Sequence, residues 1–311
     1  MTVESNPPGT GRGRPVIALA VMSLIWGYNW VVMKEGLSYC GPFDFAALRV
    51  FFAAICLFGI LVWRGGVRPK LIKETVLLGL LSTTLGMGLP MWALAGGGAG
   101  KTAVLLYTMP FWAILFAWPI LGEKIKGAEW LSVVLAFAGL ALIIDFTAVG
   151  DRLWSSFIAV GAGIVWAGSA ILTRIMKRSP DFELYSVTAW QMLYGMGPLF
   201  IIAWLFPSEP IQWTPVFIAA LMYNIFLTSV LAFLLWFYVL ERLTAGAATM
   251  GTLATPVIAL IAGAVQLGER PGLRESCGIA LILAGITLLT VLGIAKGRQI
   301  AQKQRRLKTR A

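Results

Sequence analysis

The sequence predicts an all-α membrane protein of ten transmembrane helices, arranged as two inverted five-helix repeats. The prediction rests on three observations: an unusually apolar composition, apolar blocks of about 20 residues, and a second half that repeats motifs of the first. Of the 311 residues, 59% are hydrophobic and 13% are charged, against about 25% charged in average soluble domains. Such blocks cross a ~30 Å hydrocarbon core as helices, whereas barrel strands would alternate polar and apolar residues.

Ten apolar blocks mark the predicted spans. The first 15 residues, MTVESNPPGTGRGRP, are predicted to be a disordered cytoplasmic lead, and the first block is long enough to be an uncleaved helix rather than a signal peptide. The predicted spans are residues 16–34, 43–63, 72–95, 99–121, 127–146, 154–175, 184–206, 216–240, 245–267 and 273–295. The first repeat therefore covers residues 16–146 and the second residues 147–295, with a basic cytoplasmic tail at 296–311.

Basic residues lie mainly on one side of this predicted topology. With a cytoplasmic N-terminus, nineteen Lys and Arg residues fall in inner segments and five in outer loops. The positive-inside rule then places both termini in the cytoplasm. The basic tail suits contact with anionic lipid head groups, and recruitment of nucleic acid or another partner is the alternative interpretation.

The second half of the chain repeats the first at an offset of 146 residues. AGKTAVLLYTMPFWAILFAWPILGE, residues 99–123, aligns with AGAATMGTLATPVIALIAGAVQLGE, residues 245–269, and both have a proline at the twelfth position. Trp26 aligns with Trp166 at an offset of 140. Because five helices is an odd number, the second repeat enters the membrane from the opposite side. Inverted repeats are a recurrent architecture of transporters.

The motif WGYNW at residues 26–30, Arg49 near the start of helix 2, and the duplicated proline to Gly-Glu segments ending at Glu123 and Glu269 occur in a characteristic order. In these features the chain resembles the EamA branch of the drug/metabolite transporter superfamily over essentially its whole length. The resemblance implies a multi-pass protein of the bacterial inner membrane that exports small metabolites. A similarity to the family's amino-acid exporters implies aromatic or neutral amino acids as the solutes.

Aromatic and amide side chains inside the spans predict a substrate-binding cavity. Trp26, Asn29 and Trp30 share one face of helix 1, and their N–H groups need partners that lipid tails cannot supply. Ordinary helix packing or interfacial anchoring is the alternative. The residues predicted to line the cavity are Trp26, Asn29, Trp30, Arg49, Tyr107, Trp166, Ser169, Tyr223, Asn224 and Thr252.

Glycine and proline residues inside helices 3, 4 and 9 predict flexible points. A proline frees a backbone carbonyl and kinks the helix, which provides either a hinge for transport or a static bend held by packing. The predicted hinge residues are Gly86, Gly88, Pro90, Pro110 and Pro256.

Arg49 is a charged residue within a predicted span, ~9 Å along the axis from its start. An unpaired charge at this depth costs several kcal/mol. Two interpretations follow: the guanidinium binds a substrate carboxylate, or it extends outward to lipid phosphates and loop carbonyls as a structural contact.

The absence of certain residue types narrows the possible mechanisms. The chain has no histidine and three cysteines, and no Asp or Glu lies in the middle of a predicted span. An intramembrane enzyme would need a nucleophile with a base, paired carboxylates or a metal cluster, so we expect no catalysis, metal or cofactor. Proton-coupled antiporters of cations generally need an acidic residue within the membrane, so we expect transport without obligatory proton exchange.

The sequence thus favours an inner-membrane transporter that exports small amphipathic metabolites, such as aromatic or neutral amino acids, by alternating access. Export of lipophilic cations, attracted by the aromatic faces, is the alternative, and a non-transport membrane scaffold is a second alternative. The expected partners of the protein, taken as a monomer, are a small-molecule substrate and membrane lipid, but no nucleic acid.

Overall fold

A computed structural model describes residues 13–144, 150–232, 235, 238–239 and 245–308 of the chain, and over these residues the regular secondary structure is entirely helical. The helical segments are α1 (Gly13–Gly36), α2 (Pro42–Trp63), α3 (Ile72–Gly96), α4 (Ala99–Leu121), α5 (Ala128–Ile143), α6 (Asp151–Met176), α7 (Leu184–Leu205), α8 (Pro215–Leu231), α9 (Ala245–Gln266) and α10 (Leu273–Lys308).

Six of the described helices are long and apolar enough to cross a membrane: α1, α2, α3, α4, α6 and α10. α5, α8 and the Leu253–Gln266 part of α9 are shorter apolar helices. Large apolar side chains cover the outside of the bundle, and Trp63, for example, is 86% exposed. A surface of this kind requires an apolar solvent. The predicted all-helical membrane protein is confirmed, and the count of ten crossings stays a prediction.

The helix ends differ from the predicted spans at both ends of the chain. α1 begins at Gly13, so the last three residues of the predicted lead are helical, and the rest of the lead lies outside the described residues. α10 continues beyond the last predicted span into the basic tail and ends at Lys308.

Two helices contain π-helical stretches that the sequence analysis does not predict. These stretches are Gly79–Leu85 in α3 and Tyr223–Leu231 in α8. In α3 the wider turn coincides with a close approach to α7, where a Cβ at Gly79 would lie 2.6 Å from the carbonyl oxygen of Gln191. π-Helical turns leave some carbonyls free for other partners and often occur at functional sites.

α4 is interrupted in the middle of the bundle. Its first part, Ala99–Leu106, ends at Tyr107, and its second part begins at Met109. Pro110 explains the interruption, because it has no N–H to donate to the carbonyl of Leu106 and its ring crowds that carbonyl. In the first turn of the second part, however, a proline is well tolerated.

The helices pack mainly across the two halves of the sequence. α1 packs on α8 and α9, α6 packs on α3 and α4, α2 packs on α7, and α5 packs on α10. Glycines permit the closest of these crossings: a Cβ at Gly139 of α5 would lie 2.6 Å from the carbonyl oxygen of Gly278 in α10. Small residues serve this purpose in membrane helices generally. The two halves therefore form one interlocked bundle.

Candidate functional site

A cavity of about 330 Å³ lies where α1, α2, α3, α4, α6 and α8 meet. Its volume is near the lower end of the roughly 300 to 1,000 Å³ typical of small-molecule sites. The cavity is lined by Trp26, Asn29, Trp30, Met33, Arg49, Gly86, Met87, Pro90, Leu106, Tyr107, Met109, Trp166 and Thr228. Six of the ten predicted cavity residues, and two of the five predicted hinge residues, thus lie around one space.

Two tryptophans of the cavity are held by backbone carbonyls at the π-helical stretches. Trp26 Nε1 donates to the carbonyl oxygen of Thr228 at 3.3 Å, and Trp166 Nε1 donates to that of Gly86 at 2.9 Å. Thr228 lies within the stretch in α8, and Gly86 directly follows the stretch in α3. Because both indole N–H groups are bonded to the wall, the two residues offer mainly ring surface to a solute.

A polar pair joins α1 to α8 on the cavity wall. Thr228 Oγ1 donates a hydrogen bond of 3.1 Å to Asn29 Oδ1, and both side chains are buried. In a mostly apolar pocket, a few polar groups at fixed positions orient the ligand.

Arg49 is the charged residue of the cavity lining, and it is only 7% exposed. Its Nη1 donates to Met33 Sδ at 3.2 Å, and a thioether is a weak acceptor. Within the described ranges, no carboxylate oxygen lies within 4.0 Å of its guanidinium nitrogens. The side chain therefore does not extend outward to lipid phosphates and loop carbonyls. Its guanidinium is a buried cation beside an apolar cavity.

Three predicted cavity residues, Ser169, Tyr223 and Asn224, are not among the described residues that line the cavity. Ser169 Oγ donates to the carbonyl oxygen of Trp166 at 2.8 Å, Tyr223 Oη donates to that of Ile25 at 2.9 Å, and Asn224 Nδ2 donates to that of Ala220 at 3.0 Å. Ser169 and Asn224 thus bind the preceding turn of their own helix, and Tyr223 joins α8 to α1. The side chain of Thr252 lies outside the described residues.

The predicted hinge residues have different surroundings. Gly86 and Pro90 line the cavity, whereas Gly88 packs against α7, where an added Cβ would lie 3.2 Å from Leu199 Cδ1. Pro110 begins the second part of α4, but Pro256 lies inside α9, which is continuous there. The two repeat-related prolines thus differ, and their role as hinges stays a prediction.

Five lining residues were not among the predicted cavity or hinge residues: Met33, Met87, Leu106, Met109 and Thr228. Helical spacing would have identified Met33, since it lies three and four residues after Trp30 and Asn29 on the same face. The three methionines carry no polar signal in the sequence. Their flexible, polarizable side chains suit a cavity that accepts solutes of varied shape.

The lining combines four aromatic residues, three methionines, an Asn–Thr pair and one buried cation. This arrangement can hold a solute with an apolar or aromatic body and an anionic group. Over the described part of the chain, no group of three or more Cys, Asp and Glu side chains is arranged to bind a metal.

Comparisons with known proteins find transporters among the relatives of this chain. "Uncharacterized transporter YoaV" of Bacillus subtilis is 28% identical over 282 residues, which cover 88% of this chain and 96% of that protein. "Probable amino-acid metabolite efflux pump" of Escherichia coli K12 is 25% identical over 302 residues, covering 90% and 95%, and the protein of that name from Salmonella typhimurium is 26% identical over 283 residues, covering 87% and 92%. A crystal structure with 17% identity has the same fold, with a TM-score of 0.63 over 91% of this chain and 97% of that one.

The sequence model described as "EamA-like transporter family" matches the chain twice, at residues 13–145 and 153–291. The two matches include most of the 311 residues. The resemblance stated from the sequence is therefore confirmed, and the chain belongs to the EamA-like transporter family of membrane proteins.

Proposed function

We propose that the protein exports small amphipathic metabolites, in particular aromatic and large neutral amino acids, across the bacterial inner membrane. The observation that carries the proposal is the buried Arg49 guanidinium, which shares a cavity with Trp26, Trp30, Tyr107 and Trp166. The carboxylate of an amino acid supplies the anion that this cation lacks, and aromatic walls accept an apolar or aromatic side chain. Two relatives named as amino-acid metabolite efflux pumps support the substrate class.

Transport by alternating access between two inverted repeats, residues 16–146 and 147–295, is the second part of the proposal. The family model matches each half separately. The helix pairs also exchange when the halves are exchanged: α1 with α9 becomes α6 with α4, α1 with α8 becomes α6 with α3, and both α2 with α7 and α5 with α10 become themselves. With five helices in each repeat, such a relation inverts the second half and leaves both termini in the cytoplasm.

The indole hydrogen bonds follow the same relation. Trp26 and Trp166 are 140 residues apart, and their acceptors Thr228 and Gly86 are 142 apart, so each bond is the counterpart of the other. Each one also joins the first helix of one repeat to the third helix of the other. A cavity enclosed by two equivalent halves can open to either side of the membrane.

The composition of the lining supports transport without obligatory proton exchange. Among the described residues that line the cavity, none is Asp or Glu. A coupled proton generally needs an acidic carrier within the membrane, and the described lining offers none. The amino-acid gradient is then the driving force.

Lipophilic cations are the competing solutes, because aromatic rings attract them. A cation in this cavity would lie beside the Arg49 guanidinium, and no acidic residue among the described lining residues would balance both charges. The electrostatics of the site therefore favour a solute with a carboxylate.

Counterflow in proteoliposomes that contain the purified protein tests the proposal. We expect labelled phenylalanine to exchange with unlabelled phenylalanine, tryptophan and leucine, and phenylalaninamide, which lacks the carboxylate, to compete at least tenfold more weakly. Exchange of cationic drugs in place of amino acids would overturn the substrate class. Exchange that collapses without a pH gradient would overturn the proposed absence of proton coupling.

A further inference from the structure

Each half of the chain carries one basic and one acidic residue at equivalent positions. Lys34 near the end of α1 corresponds to Arg174 near the end of α6 at the offset of 140, which also relates Trp26 to Trp166. Glu123 after α4 corresponds to Glu269 after α9 at the offset of 146. In the structure, Lys34 and Glu269 bind helix ends, whereas Arg174 and Glu123 bind each other.

Glu269 is bound to the N-terminus of α4. Its Oε1 accepts a hydrogen bond of 2.5 Å from the backbone N–H of Ala99, and its Oε2 accepts one of 2.9 Å from that of Gly100. The absence of side chains at Gly98 and Gly263 makes room for the carboxylate, since a Cβ at Gly263 would lie 2.7 Å from Glu269 Oε2. A carboxylate is favoured here because the first N–H groups of a helix lack intrahelical acceptors.

Lys34 is bound on the other side of the same corner. Its Nζ donates to the carbonyl oxygens of Leu94 at 2.8 Å and Ala95 at 3.3 Å, which belong to the last turn of α3. A cation at a helix C-terminus complements the free carbonyls there. The α3–α4 corner thus receives a cation from α1 and an anion from the segment after α9.

Further contacts join the two halves at this end of the bundle. Tyr28 Oη donates to Gln266 Oε1 at 2.7 Å, and Gln266 Nε2 donates to the carboxylate of Glu35, so that α1 and the end of α9 are linked. Lys101 Nζ lies 3.5 Å from Glu275 Oε1, which links α4 to α10. This end is therefore closed by several polar contacts.

The corresponding residues at the other end of the bundle, Arg174 and Glu123, form an ion pair with each other that is exposed to solvent. Arg174 Nη2 donates to Glu123 Oε1 at 2.5 Å, and Arg174 Nη1 donates to Glu123 Oε2 at 3.2 Å. The two side chains are 50% and 49% exposed. Both oxygens of Glu123 are thus occupied by Arg174, whereas both oxygens of Glu269 are occupied by the N-terminus of a helix.

We propose that the two ends exchange these arrangements during transport, so that the charged pairs act as alternating latches. In the opposite state, Glu123 leaves Arg174 and binds the start of α9 at Ala245 and Gly246, the counterparts of Ala99 and Gly100. Glu269 then leaves α4 and pairs with Lys34. This inference rests on the inverted repeats and alternating access proposed above.

The positions of these contacts indicate which state of the transport cycle the structure represents. With both termini in the cytoplasm, the α3–α4 corner lies at the outer face, and the Glu123–Arg174 pair lies at the inner face. The latched corner of the structure then lies at the outer face, which is the side that an exporter keeps closed while it takes up its solute from the cytoplasm. For the charged residues, the exchange forms at one end what it breaks at the other, which limits the difference in free energy between the two states that a solute must overcome.

Distances between spin labels test the latches without any substrate. Labels at A95C and R270C, in a chain whose native cysteines are replaced by serine, report the separation of the α3–α4 corner from the segment after α9. We expect the starting protein to populate mainly the short distance. E269Q should raise the long-distance fraction about threefold, which is a shift that a modest change in relative free energy produces.

The signature of the proposal is that variants at the two ends act in opposite directions. E123Q removes the helix N-terminal contact of the opposite state but only an exposed ion pair of the present one, so it should lower the long-distance fraction. The matched control E209Q, an exposed glutamate in the α7–α8 loop, should leave the distribution unchanged. Shifts of the same sign in E269Q and E123Q, or the absence of a shift in either variant, would overturn the proposal of alternating latches.

Counterflow with the same variants separates this inference from the proposed function. If the distances shift as expected but no amino acid exchanges, the latches stand and the proposed substrate fails. If phenylalanine exchanges but the distances stay the same in every variant, the transporter stands and the latches fail.

Discussion

Replacing Arg49 separates a binding role from a structural one, because the two roles predict opposite effects on stability. The guanidinium is 7% exposed, its hydrogen bond is to a thioether, and no acidic partner lies within 4.0 Å among the described residues. A buried cation of this kind costs several kcal/mol of desolvation. The bond to Met33 returns about 1 kcal/mol. R49M, an apolar chain of similar length, should therefore unfold at the same temperature as the parent protein or at a higher one.

The same substitution should weaken the binding of amino acids strongly. A hydrogen bond to a charged group contributes about 1.5–3 kcal/mol, which corresponds to roughly a 10- to 150-fold change in Kd. R49K keeps the charge but loses the planar fork that matches a carboxylate, so we expect an intermediate loss. Thermal unfolding of the purified protein and equilibrium binding of labelled phenylalanine, measured on the same preparations, provide the two values.

A structural role for Arg49 would produce the reverse pattern. If R49M lowers the unfolding temperature by several degrees and binds phenylalanine as tightly as the parent protein, the guanidinium supports the fold and the carboxylate site is wrong. R178Q is the matched control, because Arg178 is an exposed arginine in the loop after α6. We expect it to change neither measurement.

Three further predictions follow from single contacts. Trp166→Phe removes the N–H that binds the carbonyl of Gly86, and the buried acceptor left behind should cost about 1–3 kcal/mol of stability, measured as a lower unfolding temperature. Gly139→Leu should reduce the yield of folded protein, because its side chain would meet the backbone of Gly278 where α5 crosses α10. Burial, with the nearby carboxylate of residue 44, raises the pKa of the Cys40 thiol to about 12, so its alkylation by maleimide should be slow at pH 7 and rise about tenfold per pH unit as the thiolate forms.

Each of these predictions has a matched control and an outcome that contradicts it. Trp118→Phe changes an exposed indole, and equal losses in both tryptophan variants would argue against the Gly86 hydrogen bond. Gly161→Leu adds the same side chain where an added Cβ meets no atom within 4 Å, so it should fold, and equal yields would refute the α5–α10 crossing. S38C in a C40S background presents an exposed thiol two residues away, and Cys40 reacting as fast as this thiol would show that it is not buried.

Much of the fold was predictable because it depends on local and one-dimensional properties of the chain. The length of an apolar block decides whether a helix can cross the membrane, and the backbone must satisfy its own hydrogen bonds there. The family was likewise predictable from motifs that are local in the sequence, namely the WGYNW motif and the duplicated Leu-Gly-Glu. Asn29, Trp30 and Arg49 are buried, and together with Trp26 they line one cavity between α1 and its neighbours.

The tertiary structure decided which of these residues share one cavity. The sequence of an apolar helix contains little information about which face points into the bundle, because lipid and the protein interior are equally apolar. Close packing between the two halves sets the rotation of each helix instead. For this reason Tyr223 and Asn224, which look like Thr228 in the sequence, bind helix backbone while Thr228 faces the cavity. The bond from Ala99 to Glu269 joins groups 170 residues apart. Contacts over such separations, and the π-helical turns that accompany them, follow from packing in three dimensions and leave no local pattern in the sequence.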